Sequence, residues 1–437
     1  MKARLIPLYF DPGRDADFDK QLQTLRALLG DQAELLAPVA LGAPLPEADA
    51  VVFPQLLGEA YRRVAQFKAL TLPMLIVTSE FGTLSMWDWE IIAYLKSEGV
   101  ATIAPYTLQQ TRNVCNALRV KRELRTAKFL IYQDNPGEGA QAPIFKRFYW
   151  WEDECARRMQ EKFGVTLVKK SFRELGARAK AIPDHQADDA WRQWQLPTED
   201  LGSRPIQNAV KIYLAVKQDL ETDRAIRAVG INCLNESHFS NTTPCLAWNM
   251  LHREGYVWGC EADAMSMLTQ HLLYHSLGAP TMMTNLYPFL LGDAALRHER
   301  IEKFPEVAEP ENHVLVAHCG YFGVVPQAFA SQWVLRKKVL AIVDPEATAI
   351  DARLPAGDVT LAKLHPTMQV MTVAEGCLTG YVQYPGSDCR NGGVIRVRDG
   401  RELMDSLCSH HYLLTTGHNL ADVRLLAKVF DLKVEKI

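Results

Sequence analysis

The sequence lacks most of the features that mark exported, membrane-spanning or nucleic-acid-binding proteins. Its nine cysteines include no C-x-x-C pair, which argues against a zinc ribbon and against a disulfide framework. No uninterrupted apolar run approaches the roughly 18 residues that a membrane helix needs. The 48 Lys and Arg residues nearly balance the 51 Asp and Glu residues, without a long run of one sign. We therefore expect neither nucleic acid nor membrane as a partner.

Several signature motifs are missing as well. Neither early strand is followed by G-x-G-x-x-G, so an α/β pattern here does not imply NAD. The loop at residues 387–393 lacks the Lys-Ser/Thr ending of a phosphate loop, and residues 376–380 do not match G-x-S-x-G. The N-terminal apolar stretch is too short for a secretion signal and is interrupted at Asp11. We expect a cytoplasmic protein that is not a dehydrogenase, a nucleotide-binding protein or a serine hydrolase.

The chain does contain a regular alternation of secondary-structure patterns. Its 437 residues suffice for two or three domains. Apolar β-type runs alternate with helical patterns through the first half, which is typical of βαβ units around a parallel sheet. From about residue 291 onward, short β-type runs are separated by turn residues, as in a barrel or sandwich. We predict the α/β fold class, with α/β domains at 1–123 and 124–290 and a mainly β domain at 291–437.

Two carboxylates follow predicted strands in the second domain. Glu236 comes after the apolar run at 228–234, and Asp263 comes after a second short run and before a helical pattern. Because strand ends open into clefts at the edge of a sheet, Glu236 and Asp263 could converge. The alternative is that Asp263 caps the helix that follows and that Glu261 is simply solvated.

Histidines supply the other candidate ligands. His410 and His411 enter an apolar β-type run, and strand alternation lets at most one of them face a given cleft. A Glu, an Asp and one of these histidines would form a site suited to Mn²⁺ or a similar divalent cation. His271 and His275 have the spacing of zinc proteases but lack the Glu of that motif, so we interpret them as partly buried helix residues.

Two further residues are candidates for contact with a substrate. His318 closes an apolar strand and could either line a pocket or be an ordinary core histidine. Arg390 lies in the glycine-rich loop described above and is the second candidate.

Several short blocks together resemble the L-fucose isomerase-like proteins of the L-fucose/L-arabinose isomerase superfamily. The blocks are Cys233-Leu-Asn-Glu236, Pro244-Cys245-Leu-Ala, Cys260-Glu-Ala-Asp263, His318-Cys-Gly320, residues 358–364, His410-His-Tyr412 and, in the N-terminal half, Thr78-Ser-Glu80 with the helix at 90–97. The resemblance implies two Rossmann-like (flavodoxin-like) α/β domains followed by a C-terminal β-barrel domain. It also implies a homo-oligomer, a trimer or a hexamer, with active sites near subunit contacts.

Carried over residue by residue, the resemblance identifies Glu236 and Asp263 as carboxylate metal ligands and His411 as the imidazole ligand. It implies Mn²⁺ as the divalent metal and a monosaccharide as the substrate. The same two carboxylates would act as the acid/base pair of an aldose–ketose isomerase that forms an enediol. Many family members have Trp-Pro where this chain has Leu234-Asn235, so the sugar is not identified.

Other functions are compatible with the same pattern. Two α/β modules around a cleft also describe non-catalytic sugar-binding proteins. Among enzymes, a sugar epimerase or another enediolate-forming enzyme could use the same metal triad. Retained divalent metal distinguishes an isomerase from a receptor, and product analysis distinguishes an isomerase from an epimerase.

Overall fold

The computed structural model describes residues 1–10, 14–56, 58–78, 84, 86–139, 143–144, 146, 152–288, 306–318, 330–337, 346–382 and 392–437. It is a mixed α/β structure with two compact units. The first unit comprises Met1–Glu123, His275–Gly278 and Ala421–Lys433, and the second comprises Leu124–Tyr274, Ala279–Leu420 and Val434–Ile437. The domain boundary expected at residue 290 lies outside the described residues.

The first unit contains a parallel sheet. Its strands and helices are β1 (Ala3–Tyr9), α1 (Ala16–Leu29), β2 (Ala33–Leu35), β3 (Val39–Ala40), β4 (Ala50–Phe53), α2 (Val64–Lys68), β5 (Met74–Ile76), α3 (Met86–Ser97) and α4 (Leu108–Leu124), with a 3₁₀ turn at Gly58–Arg63. The sheet order is β2-β1-β4-β5, and β3 pairs with β1. All of these pairings are parallel, as the sequence alternation predicted. β4 is buried along its whole length because parallel strands are covered on both faces.

The helices follow local sequence signals. α1 begins after Asp15, whose side chain accepts a hydrogen bond from the N–H of Phe18 and so satisfies one of the free donors of the first turn. It buries Leu22, Leu25 and Leu29, which share one face at helical spacing. Within the described ranges, no helix is both long and apolar enough to cross a membrane.

The α/β part of the second unit contains another parallel sheet. Its elements are β6 (Lys128–Tyr132), α5 (Asp153–Phe163), β7 (Thr166–Lys170), α6 (Phe172–Ala181), α7 (Asp184–Trp194), α8 (Ser203–Thr222), β8 (Ile226–Ile231), α9 (Cys233–Glu236), α10 (Cys245–Arg253), β9 (Val257–Cys260) and α11 (Ala264–Leu277), with a 3₁₀ turn at Ser237–Phe239. The order is β7-β6-β8-β9. Ile231 lies opposite Cys260 in the β8–β9 ladder. The residues that follow β8 and β9 therefore emerge side by side at one edge of the sheet.

The remaining part of the second unit includes a closed antiparallel barrel. The elements from residue 281 onward are β10 (Thr281–Pro288), β11 (His313–Ala317), β12 (Gln332–Lys337), β13 (Thr348–Arg353), β14 (Gly357–Leu364), β15 (Val370–Val382), β16 (Gly392–Val397), α12 (Gly400–Asp405), β17 (His411–Thr416), α13 (Leu420–Val429) and β18 (Lys433–Lys436), with a 3₁₀ turn at Pro310–Asn312. Of these, α13 belongs to the first unit from Ala421 onward. Six strands close in the order β14-β17-β10-β11-β16-β15 and back to β14. β18 adds to β15, while β12 and β13 form a separate antiparallel pair.

The barrel starts earlier than the change in sequence pattern suggested. β10 begins at Thr281, ahead of the expected change near residue 291. Residues 281–286 are all buried, so the strand shows no alternation of apolar and polar residues. The buried residues include Thr281, Thr284 and Asn285, so the segment has neither alternation nor a continuous apolar run, which explains why the sequence does not predict β10.

The barrel register brings three distant segments to one end. Asn285 of β10 lies opposite both Ala317 at the end of β11 and His411 at the start of β17. Ala362 of β14 lies opposite Leu413 of the same β17 strand. His318, which follows β11, thus lies at the same end of the barrel as His411.

Candidate metal centre

Three potential metal ligands lie together in the second unit. One donor atom from each of Glu261, His318 and His411 lies within 4.8 Å of the other two, and all three side chains are buried. Nε2 of His411 is 3.9 Å from Oε1 of Glu261. The imidazole rings of His318 and His411 are stacked, with their centroids 5.6 Å apart. One carboxylate and two imidazoles suit a divalent transition-metal cation, so this group could hold a metal ion.

Glu261 occupies an unusual backbone turn. It follows β9 directly, and both Glu261 and Ala262 have left-handed backbone conformations, with φ of 55° and 58°. Such conformations cost a non-glycine residue about 1 to 3 kcal/mol each and persist only where the surrounding structure holds them. The N–H of Glu261 donates a hydrogen bond to Sγ of Cys233 at 3.4 Å. This turn directs the Glu261 carboxylate to the histidines, and only 5% of the residue is exposed.

Asp263 lies at the centre of a buried hydrogen-bond network. Its Oδ1 accepts a hydrogen bond from the N–H of Ser266 at 2.8 Å, so Asp263 caps α11 as the sequence alternative proposed. Its Oδ2 accepts hydrogen bonds from Ser266 Oγ at 2.7 Å, Lys363 Nζ at 3.0 Å and His411 Nδ1 at 2.9 Å. Lys363 and Asp263 have side-chain exposures of 1% and 0%. A buried lysine requires such a partner, because an isolated ammonium group would lose its hydration without compensation.

The bond to Asp263 determines the protonation of His411. The Asp263 carboxylate accepts a hydrogen bond from Nδ1 of His411, so Nδ1 carries the proton. Nε2 of His411 is then unprotonated and presents its lone pair towards Glu261. Metal-binding histidines typically have such a carboxylate partner, which orients the ring and raises its basicity as a ligand. The arrangement therefore prepares His411 to donate an electron pair from Nε2.

The electrostatics of this network favour a charged Asp263 and a neutral His411. Burial alone would raise the pKa of Asp263, but the Lys363 ammonium and the His411 hydrogen bond outweigh it and hold the pKa well below its usual range. Burial and then the neighbouring His410 lower the pKa of His411 well below its ordinary value, although the Asp263 interaction opposes them. A neutral imidazole is the form that binds a metal ion.

Glu236 lies outside the group of three ligands. It is the last residue of α9, is 1% exposed and accepts hydrogen bonds from the backbone N–H groups of Asp134 and Asn135 and from Nδ2 of Asn232. Burial raises the pKa of Glu236 above its ordinary value, while these donors oppose the rise. Its helix contacts the Glu261 turn, since Sγ of Cys233 lies 3.3 Å from Sγ of Cys260.

The other candidates from the sequence fall in different positions. His411 is fully buried, whereas His410 is partly exposed with its ring centroid 4.2 Å from that of His411. Arg390 lies outside the described residues. His271 is buried with its ring 5.7 Å from that of Phe129, and His275 is partly buried, as expected for helix residues.

Sequence reasoning missed two members of the site. It considered Glu261 only in the alternative, as a solvated residue, and this part of the alternative is wrong, because a left-handed turn buries the side chain beside His411. It also passed over Lys363, although a single lysine inside the apolar run of β14 is itself a signal for a buried charge partner. The spacing of Glu261 and Asp263 in the sequence does not predict where the two side chains point, because their directions depend on the backbone turn between them.

The chain was compared with known proteins. No model of a protein family matches it, and the search of curated proteins finds no match. The resemblance to L-fucose isomerase-like proteins therefore stays an expectation from short sequence blocks, and the candidate metal centre is the basis on which a function can be proposed.

Proposed function

We propose that this protein is a divalent-metal-dependent isomerase that interconverts an aldose and a ketose. The observation that carries the proposal is the buried group of Glu261, His318 and His411, in which Asp263 orients the ring of His411. The donor set is the kind that binds Mn²⁺ and similar cations, and the oriented imidazole fits a metal ligand. Sequence blocks that resemble sugar isomerases lie at the same residues.

In this proposal the three ligands hold the cation at the edge of the sheet. When bound, the cation polarises the carbonyl and the adjacent hydroxyl oxygen of the sugar, which makes the α-hydrogen more acidic. Asp263 and Lys363 are positioning residues. They keep His411 in the tautomer whose Nε2 lone pair faces Glu261.

Glu236 is the proposed proton carrier between C1 and C2 of the sugar. It is buried, and three donors hold its carboxylate in one place. The pKa of Glu236 is raised towards neutral pH, and a carboxylate with such a pKa can both accept a proton and return it. Asp263 is less suited to this step, because four hydrogen bonds and the Lys363 charge stabilise its ionised form. Separate environments thus favour separate roles for the two carboxylates.

The fold supports the proposal in its broader features. When the short strand β3 is omitted and the strands of each parallel sheet are numbered in chain order, both β2-β1-β4-β5 and β7-β6-β8-β9 become 2-1-3-4. This is the strand order of flavodoxin-like folds. We propose on this basis the two Rossmann-like domains and the barrel domain that the family resemblance implies. A homo-oligomer and a cytoplasmic location are part of the same proposal.

The test combines metal content with product analysis. The purified protein is stripped with a chelator, reloaded with Mn²⁺ and incubated with a panel of aldoses, and ketose formation is measured. We expect activity that disappears on chelation and in Glu261→Gln, while Asp219→Asn, a buried carboxylate elsewhere in the second unit, retains it. A protein that converts no sugar after metal loading would contradict the proposal. Formation of another aldose would identify an epimerase instead.

A further inference from the structure

Two cysteine side chains meet at the edge of the second parallel sheet. Sγ of Cys233, at the start of α9, lies 3.3 Å from Sγ of Cys260, at the end of β9. Both residues are 5% exposed. Their proximity follows from the ladder, because Ile231 of β8 lies opposite Cys260. A disulfide needs a sulfur–sulfur distance of about 2.05 Å, so an approach of little more than about 1 Å would join them.

The sulfur of Cys233 is connected directly to the candidate metal centre. It accepts the backbone hydrogen bond of Glu261, the residue that supplies the carboxylate ligand. Glu261 and Ala262 have strained left-handed conformations that only the surrounding contacts maintain. A displacement of the Cys233 sulfur therefore changes one of the contacts that hold the Glu261 turn.

We propose that Cys233 and Cys260 form a reversible thiol–disulfide switch that responds to hydroperoxides and controls the metal centre. Oxidation draws the two sulfurs together, weakens the hydrogen bond from Glu261 N–H and lowers the affinity of the centre for a divalent cation. The formation of the disulfide is inferred from the positions of the two thiols alone, whereas its effect on the metal centre rests on the proposed function.

The chemistry is balanced with hydrogen peroxide as the oxidant. One of the two sulfurs must be oxidised before the pair can join, and the scheme begins at Cys233. Its sulfur forms a bond to one peroxide oxygen, the O–O bond breaks, and the leaving hydroxide takes up a proton to become water. The Cys260 sulfur then attacks the resulting sulfenic acid, the S–O bond breaks, and a second water leaves. The two thiols lose two electrons and two protons, and a dithiol reductant reverses the change.

Other cysteines provide internal controls. Burial raises the pKa of the Cys115 thiol to about 12, so it stays protonated and inert to peroxide. Cys155 of α5 is 3% exposed and gives a matched buried control in the second unit. Cys377 and Cys408 are partly exposed, and their oxidation reports that the peroxide has reached the protein.

The experiment uses the full-length protein in reduced and peroxide-treated forms. Remaining thiols are alkylated, and peptide mass spectrometry maps the cross-link between Cys233 and Cys260. Calorimetry measures the Kd for Mn²⁺, and hydrogen exchange of segment 257–266 is followed in metal-free protein. We expect the cross-link, changed exchange in this segment and a Kd raised about tenfold or more, the scale of a lost outer contact of a metal ligand. All three changes should reverse with dithiothreitol.

The variants separate the possible outcomes. Cys260→Ala should form no cross-link under peroxide, whereas Cys155→Ala should form the cross-link and respond like the wild type. If Cys377 or Cys408 is oxidised and no cross-link forms in the wild-type protein, the switch is refuted. A cross-link that leaves exchange and Mn²⁺ affinity unchanged refutes the coupling to the centre. The cross-link and the altered hydrogen exchange could both occur in a protein that binds no Mn²⁺ when reduced. In that case the proposed function fails, while the disulfide and its effect on the Glu261 turn stand.

Discussion

Nδ1 of His411 lies 2.9 Å from Oδ2 of Asp263, and neither side chain has any exposed surface. The same carboxylate caps α11 through Ser266 and forms an ion pair with Lys363. The buried Asp263 carboxylate thus caps a helix, pairs with the charge of Lys363 and orients His411, a candidate metal ligand. Changes at Asp263 should therefore affect metal binding and stability together, and the two effects can be separated by choosing the variants.

Replacement of Asp263 by Asn should weaken Mn²⁺ binding about 10- to 100-fold, as for other carboxylates that support a metal-binding histidine. The amide has no negative charge to raise the basicity of His411, although its oxygen can still accept the Nδ1 proton. Calorimetric titration with Mn²⁺ measures the change. Asp219→Asn removes a carboxylate bound by Tyr132, Lys170 and Arg178 and should lose stability but not metal affinity. Equal affinities of wild type and Asp263→Asn would remove Asp263 from the site.

Replacement of Lys363 by Met should reduce the free energy of unfolding by about 3 to 5 kcal/mol, because it leaves the buried Asp263 charge without its cation. Urea unfolding of the metal-free protein measures this loss. The double variant Lys363→Met/Asp263→Asn should be less destabilised than the sum of the single changes, since both charges are removed together. Strict additivity would show that the two side chains do not interact.

Replacement of Glu236 by Gln should lower kcat about 10² to 10⁴-fold, the usual contribution of a general acid or base. Gln retains the shape of the carboxylate but cannot carry the proton. Mn²⁺ affinity should stay unchanged, since Glu236 lies outside the group of Glu261, His318 and His411. Initial rates with a reactive aldose and a parallel Mn²⁺ titration provide the two readouts. Loss of metal from the variant would instead assign Glu236 as a ligand, as the family resemblance implies.

His252 should make stability depend on pH. Burial lowers the pKa of this imidazole from 6.5 to about 4 in the folded protein, although the carbonyl of Tyr256 accepts its Nδ1 proton. Between these two values the unfolded chain binds more protons than the folded one, so the free energy of unfolding falls as the pH falls from 6.5 to 4. The contribution of this one residue is about 3 kcal/mol, present in full above this window and lost below it.

Urea unfolding at a series of pH values tests this dependence. His411 changes stability in the same direction, because its pKa is also lowered, so the relevant quantity is the difference between wild type and His252→Asn. The Asn side chain keeps a hydrogen-bond donor near the position of Nδ1. In the His252→Asn variant, the free energy of unfolding should change less with pH between 6.5 and 4 than in the wild type. The variant His185→Asn, at an exposed histidine, is measured in parallel as the control for the substitution itself. Identical slopes for His252→Asn and wild type would contradict the assignment.

Much of the fold could be predicted from local patterns. β11 (His313–Ala317) is one of the short β-type runs expected after residue 291, and the parallel sheets follow from apolar runs that alternate with helical patterns. β10 lacks a comparable signal, because its buried residues include Thr281, Thr284 and Asn285, which interrupt the apolar run. Local patterns thus succeed where a strand is a continuous apolar run or alternates, and fail where polar side chains are buried within it.

The sequence by itself determined that Asp263 would precede a helix and that His410 and His411 would enter a strand, because caps and strand alternation depend on adjacent residues. Only the tertiary structure decided which groups meet. The direction of Glu261 depends on two left-handed residues, and the meeting of His318, His411 and Lys363 depends on the barrel register, which joins segments distant in sequence. Side-chain direction and strand register are properties of the closed fold, so the candidate metal centre exists only once the sheet edge and the barrel end come together.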